Sequence, residues 1–294
     1  MRFPGIIPAV TTPFDAGDQV DVAALKDNVE KLIAAGVHGF VATGTMGEAG
    51  SLTAAERRTV VEATVAAAAG RVPVIAGVAS GTPGATIGFA ADAEAAGADA
   101  IMLLPPLGYR ADAREVIAWY RTVAEGTELP IMLYNNPEAS GTDLLPALIS
   151  RIAEEVDQVV AVKECSGDAR RIAALLDYTE LEVLVGGDDW ALEGFCAGAT
   201  GWVTGVGDCA PAECVELYEA CGAADLERAR AIYTRLLPLA RLDMTPKLVQ
   251  YFKGAQDALG FTGGPVRPPR LELDEQDRVV LAQAVAALST TAVA

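Results

Sequence analysis

The chain of 294 residues is 51% hydrophobic and 21% charged, enough apolar material for one large core or two smaller ones. Forty acidic side chains against 22 basic ones leave a formal charge of −18, so nucleic acid and anionic membrane surfaces would meet repulsion. The five cysteines are odd in number and form no C-x-x-C pair, which fits a reduced, cytoplasmic compartment.

The opening "MRFPGIIPAVTTPF" (1–14) has one early arginine, then Pro, Gly and a short apolar run, which is not the pattern of a signal peptide. No stretch holds the roughly 18 uninterrupted apolar residues of a membrane helix. Eight β-branched runs recur along the chain: 5–14, 39–45, 73–79, 100–106, 130–137, 159–165, 181–189 and 201–207. Helical patterns follow at 21–35, 53–69, 83–96, 112–125, 143–155, 169–178, 190–198 and 211–221. Thr53 with Glu56 three residues on predicts a capped start for one of them. Continuous apolar strands alternating with helices predict a parallel sheet covered on its outer face, and eight such units predict a (β/α)₈ TIM barrel over residues 1–222. Further helical patterns at 225–239, 245–259 and 274–288, with a "GPVRPPRLEL" loop at 264–273, predict a C-terminal helical extension, 223–294, packed on the barrel.

In such a barrel the chemistry sits where the strands end. After the second run, "ATGTMGEAGSLT" (42–53) turns through Gly44 and Gly47, whose freedom lets backbone N–H groups approach a carboxylate beside the Thr45 hydroxyl. Glu48 reads as an acceptor that organises this loop. "YNNP" (134–137) ends the fifth run with Tyr134, either a packed ring or a phenol able to shuttle protons. Of the five lysines, Lys26, Lys31, Lys247 and Lys253 fall in helical segments and are expected to be solvated or snorkelling. Only Lys163, in "VVAVKECSG" (159–167), lies inside a strand. It is either a core lysine paired with an acid such as Glu164, or a desolvated amine with lowered proton affinity that attacks a carbonyl to form a Schiff base.

The single histidine, His38, precedes the second strand at the opposite end of the barrel, so a Ser-His-Asp triad or a His-bearing metal site lacks its parts. It is expected to be structural, and no metal or organic cofactor is expected. "GGDDW" (186–190) and "TGVGDC" (204–209) stand where many barrels bind phosphate, but Asp188, Asp189 and Asp208 would repel one.

"GTMGE" (44–48), "YNNP" (134–137), "VKECSGD" (162–168) and "GGDD" (186–189), in this order, resemble the dihydrodipicolinate synthase / N-acetylneuraminate lyase family of class I Schiff-base aldolases. The resemblance runs from about residue 3 to 290. It implies that Lys163 forms the Schiff base with a 2-oxo acid such as pyruvate, that Tyr134 relays protons, that Thr45 with the Met46 backbone holds the carboxylate, and that the Val203 region lines the site. It also implies a homotetramer built as a dimer of dimers. Three positions depart from the synthase pattern: Met46 replaces a second threonine, Leu107 a tyrosine that completes the relay across a subunit interface, and Ala139 an arginine that grips a second carboxylate.

The segments 246–260 and 266–273 are similar to members that deaminate and dehydrate a hydroxylated pyrroline carboxylate in hydroxyproline breakdown, a substrate for which Asn136 and Ser140 could supply hydroxyl contacts. The expectation is therefore a Schiff-base lyase acting on a small 2-oxo acid or cyclic imine carboxylate, with hydroxyproline-type deaminase first. The alternatives are 4-hydroxy-tetrahydrodipicolinate synthase, a non-catalytic 2-oxo acid sensor, and a phosphosugar aldolase or isomerase.

Overall fold

The structure, a computed structural model, describes residues 2–289. Eight short strands, β1 (Gly5–Pro8), β2 (Phe40–Ala42), β3 (Val74–Gly77), β4 (Ala100–Leu103), β5 (Ile131–Asn135), β6 (Val159–Glu164), β7 (Glu182–Val185) and β8 (Gly201–Thr204), pair in parallel in the order β1-β8-β7-β6-β5-β4-β3-β2. The ring closes between its ends through a parallel bridge of Ala9 to Val41, where the Val10 N–H donates to the Val41 carbonyl at 3.0 Å. The predicted barrel is correct, though its strands are shorter than the apolar runs because the runs continue past the ladder into the loops that build the site.

The helices between strands are α1 (Val22–Ala34), α2 (Ala54–Ala68), α3 (Pro83–Ala95), α4 (Ala113–Ala124), the single turn α5 (Pro137–Ser140), α6 (Pro146–Glu155), α7 (Arg170–Tyr178), α8 (Ala191–Cys196) and α9 (Pro211–Gly222). Thr53 and Glu56 form the predicted reciprocal cap of α2. The apolar residues of the strands, such as Ile75, Ile101, Leu133 and Val183, are fully buried, so the core is the barrel interior together with the layer between strands and helices. No helix among the described residues is long and apolar enough to cross a membrane.

The extension is formed by α10 (Leu226–Ala240), a 3₁₀ turn at Arg241–Met244, α11 (Leu248–Ala258) and α12 (Glu275–Leu288); the last five residues of the predicted extension lie outside the described residues. Its attachment corrects the expectation for Lys253, which is neither solvated nor snorkelling but 1% exposed, its ammonium 2.7 Å from the fully buried Glu48 carboxylate and 4.5 Å from the Phe14 ring centroid. The periodicity of α11 placed it on a helix, and only the packing of that helix against the barrel buries it. Glu48 also accepts from the Arg267 N–H at 3.0 Å, so the loop after β2 is fastened to the extension at two points.

Asp208, after β8, is buried with one oxygen accepting from the Thr11 N–H at 2.8 Å and the Gln256 amide at 2.9 Å. Burial pushes its carboxyl up to about 7, against the lowering effect of those donors and of Lys253. This lies above the unfolded value near ~3.9, so the folded state holds the extra proton and loses stability as pH rises through that window. The stability of Asp208→Asn relative to the wild type is therefore expected to improve by roughly 2–3 kcal/mol between pH 5 and pH 8, read from urea titrations at both pH values.

Candidate active site

Register brings the two principal residues together. Tyr134 of β5 is directly opposite Lys163 of β6, on the same face of the pleat, and the Lys163 ammonium nitrogen lies 4.3 Å from the centre of the Tyr134 ring. Both are buried. Glu164, one residue on, accepts from the Asn135 side chain at 2.9 Å and the Ser166 N–H at 2.6 Å, so the reading of Lys163 as its ion-pair partner is not what the fold builds. Beside them Gly186 is required by space, since a β-carbon there would stand 3.0 Å from Lys163 Cε and 2.7 Å from the Glu164 carbonyl oxygen.

The turn after β2 carries two non-glycine residues in the left-handed region, Thr43 (φ 54°) and Glu48 (φ 53°). Such conformations cost about 1–3 kcal/mol each and persist only where the surroundings hold them. The Thr43 hydroxyl is 2.7 Å from the Ala42 carbonyl and 3.0 Å from that of Gly77, while Glu48 is held by Lys253 and Arg267. The result presents Gly44, Thr45 and Met46 to a cavity of about 250 Å³ that Tyr134 and Lys163 also line. Among the described residues the Thr45 and Met46 N–H groups donate to no protein acceptor. A larger hollow of about 580 Å³, at the other end of the strands, is lined by Glu154, Asp157 and Asp177 and contains neither Lys163 nor Tyr134.

The charge state of Lys163 departs from expectation. Burial opposes its ammonium, but Tyr134, Cys165 and Asp243 together outweigh burial and hold its proton affinity above the ordinary lysine value. The lysine whose proton affinity burial does lower is Lys253, through a desolvation that Glu48 only partly offsets. Lys163 is thus held as an ammonium rather than as a free amine. Burial pushes the Tyr134 phenol up to about 12, against the lowering effect of Lys163, and the Cys165 thiol likewise to about 12. Asp243 is pushed up to about 6 by burial, with Lys163 acting in the other direction.

Asn136 joins the site by donating to the Tyr134 oxygen at 2.9 Å, which directs the phenol, while its own carbonyl oxygen caps α5 at the Ala139 N–H. Ala139 faces the cavity where an arginine was missing from the motif. Three other expected residues are placed elsewhere. Ser140 is buried with its hydroxyl between the Asn136 and Thr142 carbonyls, 2.8 and 3.0 Å away, and does not face the cavity. Val203 is wholly buried within β8 and is not among the lining residues of the cavity, which Gly205, two residues on, does line. Leu107, half-buried after β4, does not reach the cavity of its own chain.

Asp188 takes the backbone seat after β8 for itself, accepting from Gly205 N–H at 3.2 Å, Val206 N–H at 2.6 Å and the Trp202 indole at 3.0 Å. An internal carboxylate thus fills the place where other barrels bind phosphate. His38 accepts the Ile6 N–H at 3.1 Å and packs edge-on against Tyr218, away from the cavity. Among the described residues no group of His, Cys, Asp and Glu is arranged to hold a metal ion. Asp243 and Thr245 also line the cavity and had no signal in the sequence, because the 3₁₀ turn that carries Asp243 and leads into Thr245 reaches the strand ends only through the packing of the extension, and Glu138, next to the Y-N-N-P motif on α5, lines the cavity too.

An eight-stranded barrel with a strand-borne lysine and phenol at the mouth defines a lyase of the class I aldolase type. The comparisons are specific: the chain belongs to the dihydrodipicolinate synthetase family, whose profile matches residues 2–288. It is 36% identical over 280 residues to the 4-hydroxy-tetrahydrodipicolinate synthase of Methanopyrus kandleri, covering 94% of this chain and 93% of that one. Among solved structures it resembles a dihydrodipicolinate synthase of Bacillus anthracis (30% identity, TM-score 0.94, 99% and 100% of the two chains covered). It also resembles a prophage protein of Escherichia coli K12 from the same family, solved in complex with pyruvate (28% identity, TM-score 0.92, 98% and 99% covered).

Proposed function

We propose that Lys163 forms a Schiff base with C2 of pyruvate or a closely related 2-oxo acid, and that the protonated imine then serves as the electron sink for making or breaking a bond at C3 or beyond. The observation that carries this reading is the neighbouring placement of Lys163 and Tyr134 in one cavity with the Thr45 and Met46 N–H groups. In it the substrate carboxylate sits against the Gly44–Gly47 turn and its carbonyl carbon faces the amine. The homotetramer implied by the sequence resemblance belongs to the same proposal, supported by the family match over nearly the whole chain.

For the second substrate, relatives named 4-hydroxy-tetrahydrodipicolinate synthase support that reaction, condensation of pyruvate with aspartate semialdehyde. Nothing in the comparisons supports a hydroxyproline-type specificity. One observation favours a partner without a second carboxylate: the cavity contains no arginine, Ala139 faces it in the motif position, and Glu138 and Asp243 make its rim acidic. Side-by-side assays with aspartate semialdehyde plus pyruvate, and with pyrroline-4-hydroxy-2-carboxylate, decide between them.

The test of the class is borohydride reduction with pyruvate. A mass increase on the peptide bearing Lys163 is expected, and an unmodified protein after exhaustive reduction overturns the reading. Tyr134→Phe keeps the ring but removes its proton and is expected to slow adduct formation by roughly 10²–10³ with little change in the pyruvate concentration for half-saturation.

A further inference from the structure

We propose that Asp243 is the proton carrier of this site, taking a proton from the Lys163 ammonium and returning it to the carbinolamine hydroxyl that leaves as water. This rests on the Schiff-base reading above and supplies the step which that reading leaves open.

The need comes from the residues present. An ammonium cannot attack a carbonyl, and the proton affinity of the lysine here is raised rather than lowered. Met46 lines the cavity and Leu107 does not reach it, and neither side chain has a proton to move. Of the titratable groups around the cavity, Tyr134 and Cys165 keep their protons throughout the neutral range, and Glu138 is exposed at the rim. Asp243 is half-buried and lines the same cavity as Lys163.

Its placement is built. The carboxylate accepts the Asp188 N–H at 3.3 Å, and Asp188 is itself immobilised by Trp202, Gly205 and Val206. The charged and titratable groups that face Asp243 are Lys163 from β6, Asp188 and Asp189 from the loop after β7, Glu138 from α5, and beyond the lysine Tyr134 and Cys165. Burial disfavours its charge most, and Asp189 and Glu138 add to that, while Lys163 and the Asp188 N–H favour it, leaving a carboxyl group that ionises at about 6 and is still basic enough to accept a proton.

The step balances as follows. Lys163 and Asp243 line one cavity but form no ion pair among the described residues, so Asp243 takes one proton from Lys163 through intervening water, and the freed lone pair forms the bond to C2 while the carbonyl π pair moves to oxygen, which is protonated by Tyr134. The new secondary ammonium returns a proton to the Tyr134 oxygen. Protonated Asp243 then delivers its proton to the hydroxyl, the C–O bond breaks, water departs, and the nitrogen lone pair closes the iminium. One ammonium and one carbonyl become one iminium and one water, and Asp243 ends as a carboxylate beside the new cation.

The readout is exchange of the pyruvate methyl protons with deuterated water, followed by NMR, which requires iminium formation but no second substrate. In the wild type the exchange rate is expected to rise with pH through about 6 as Asp243 ionises. Asp243→Asn is expected to exchange at least about 100-fold more slowly and to lose that limb, while long incubation with borohydride still labels Lys163. Added formate is expected to restore part of the rate of Asp243→Ala. A wild type without a limb near this pH, an Asn variant that exchanges at the wild-type rate, or an Asn variant that keeps the limb each overturns the assignment. Failure of the wild type to be labelled on Lys163 strikes instead at the Schiff-base reading.

Discussion

Lys163→Arg is expected to abolish borohydride trapping with pyruvate and to reduce methyl exchange by at least about 10⁴, a loss of about 5 kcal/mol in barrier lowering. Arginine keeps the positive charge and much of the length, so the attraction for Asp243 and the cation over the Tyr134 ring are retained. It loses the one property that counts, since a guanidinium does not deprotonate near neutrality and cannot supply a lone pair to a carbonyl. The substitution therefore separates an electrostatic role for the lysine from a covalent one. If the lysine only anchored a substrate carboxylate, arginine would serve at least as well, and binding of pyruvate would be unchanged or tighter. Peptide mapping adds a second discrimination, because Lys253 is the other deeply buried lysine and the one whose proton affinity burial lowers. An adduct on Lys253 that survives Lys163→Arg would move the chemistry to the wrong side of the Gly44–Gly47 turn and sink the assignment.

Lys253→Met is expected to destabilise the fold by roughly 3–5 kcal/mol, the usual cost of leaving one partner of a buried ion pair without its counter-charge. Glu48 has no exposure to water, and its remaining partners are the Arg267 N–H and the Arg270 guanidinium at 3.6 Å. Methionine fills most of the lysine stem, so the loss reflects charge more than volume. The double variant Glu48→Gln with Lys253→Met removes both charges and is expected to regain a substantial part of the stability. Because Glu48 is held in a left-handed conformation at the end of the turn proposed to seat the substrate carboxylate, the single variant is also expected to raise the pyruvate concentration needed for half-saturation. Urea titration measures the first effect and the exchange assay the second. A single variant within about 1 kcal/mol of wild type would show that water or Arg270 already neutralises Glu48 and that the latch is not what holds the turn.

The barrel and the one lysine inside a strand were readable in the chain for the same reason. Parallel strands covered by helices must be apolar on both faces, so eight apolar runs with helical segments between them leave few other architectures, and a lysine inside such a run stands out. Tyr134 could be placed at a strand end, but its contact with Lys163 depends on the register of β5 against β6. Residues proposed by position alone fared unevenly, since Asn136 reaches the cavity while Ser140 spends its hydroxyl on the backbone of its own turn.

The order of apolar runs and the residue types at their ends determined the fold class, the lysine and phenol, and the absence of an arginine from the Y-N-N-P motif. Which lysine is held charged, which carboxylate seals the seat after β8, and which acid from the extension lines the same cavity as Lys163 were decided by the tertiary structure alone. Those outcomes turn on desolvation and on charges a few ångströms apart through space, and Lys163 and Asp243 are separated along the chain by the whole of α7, α8, α9 and α10. Periodicity reports which face of an element is buried, but not which other element buries it.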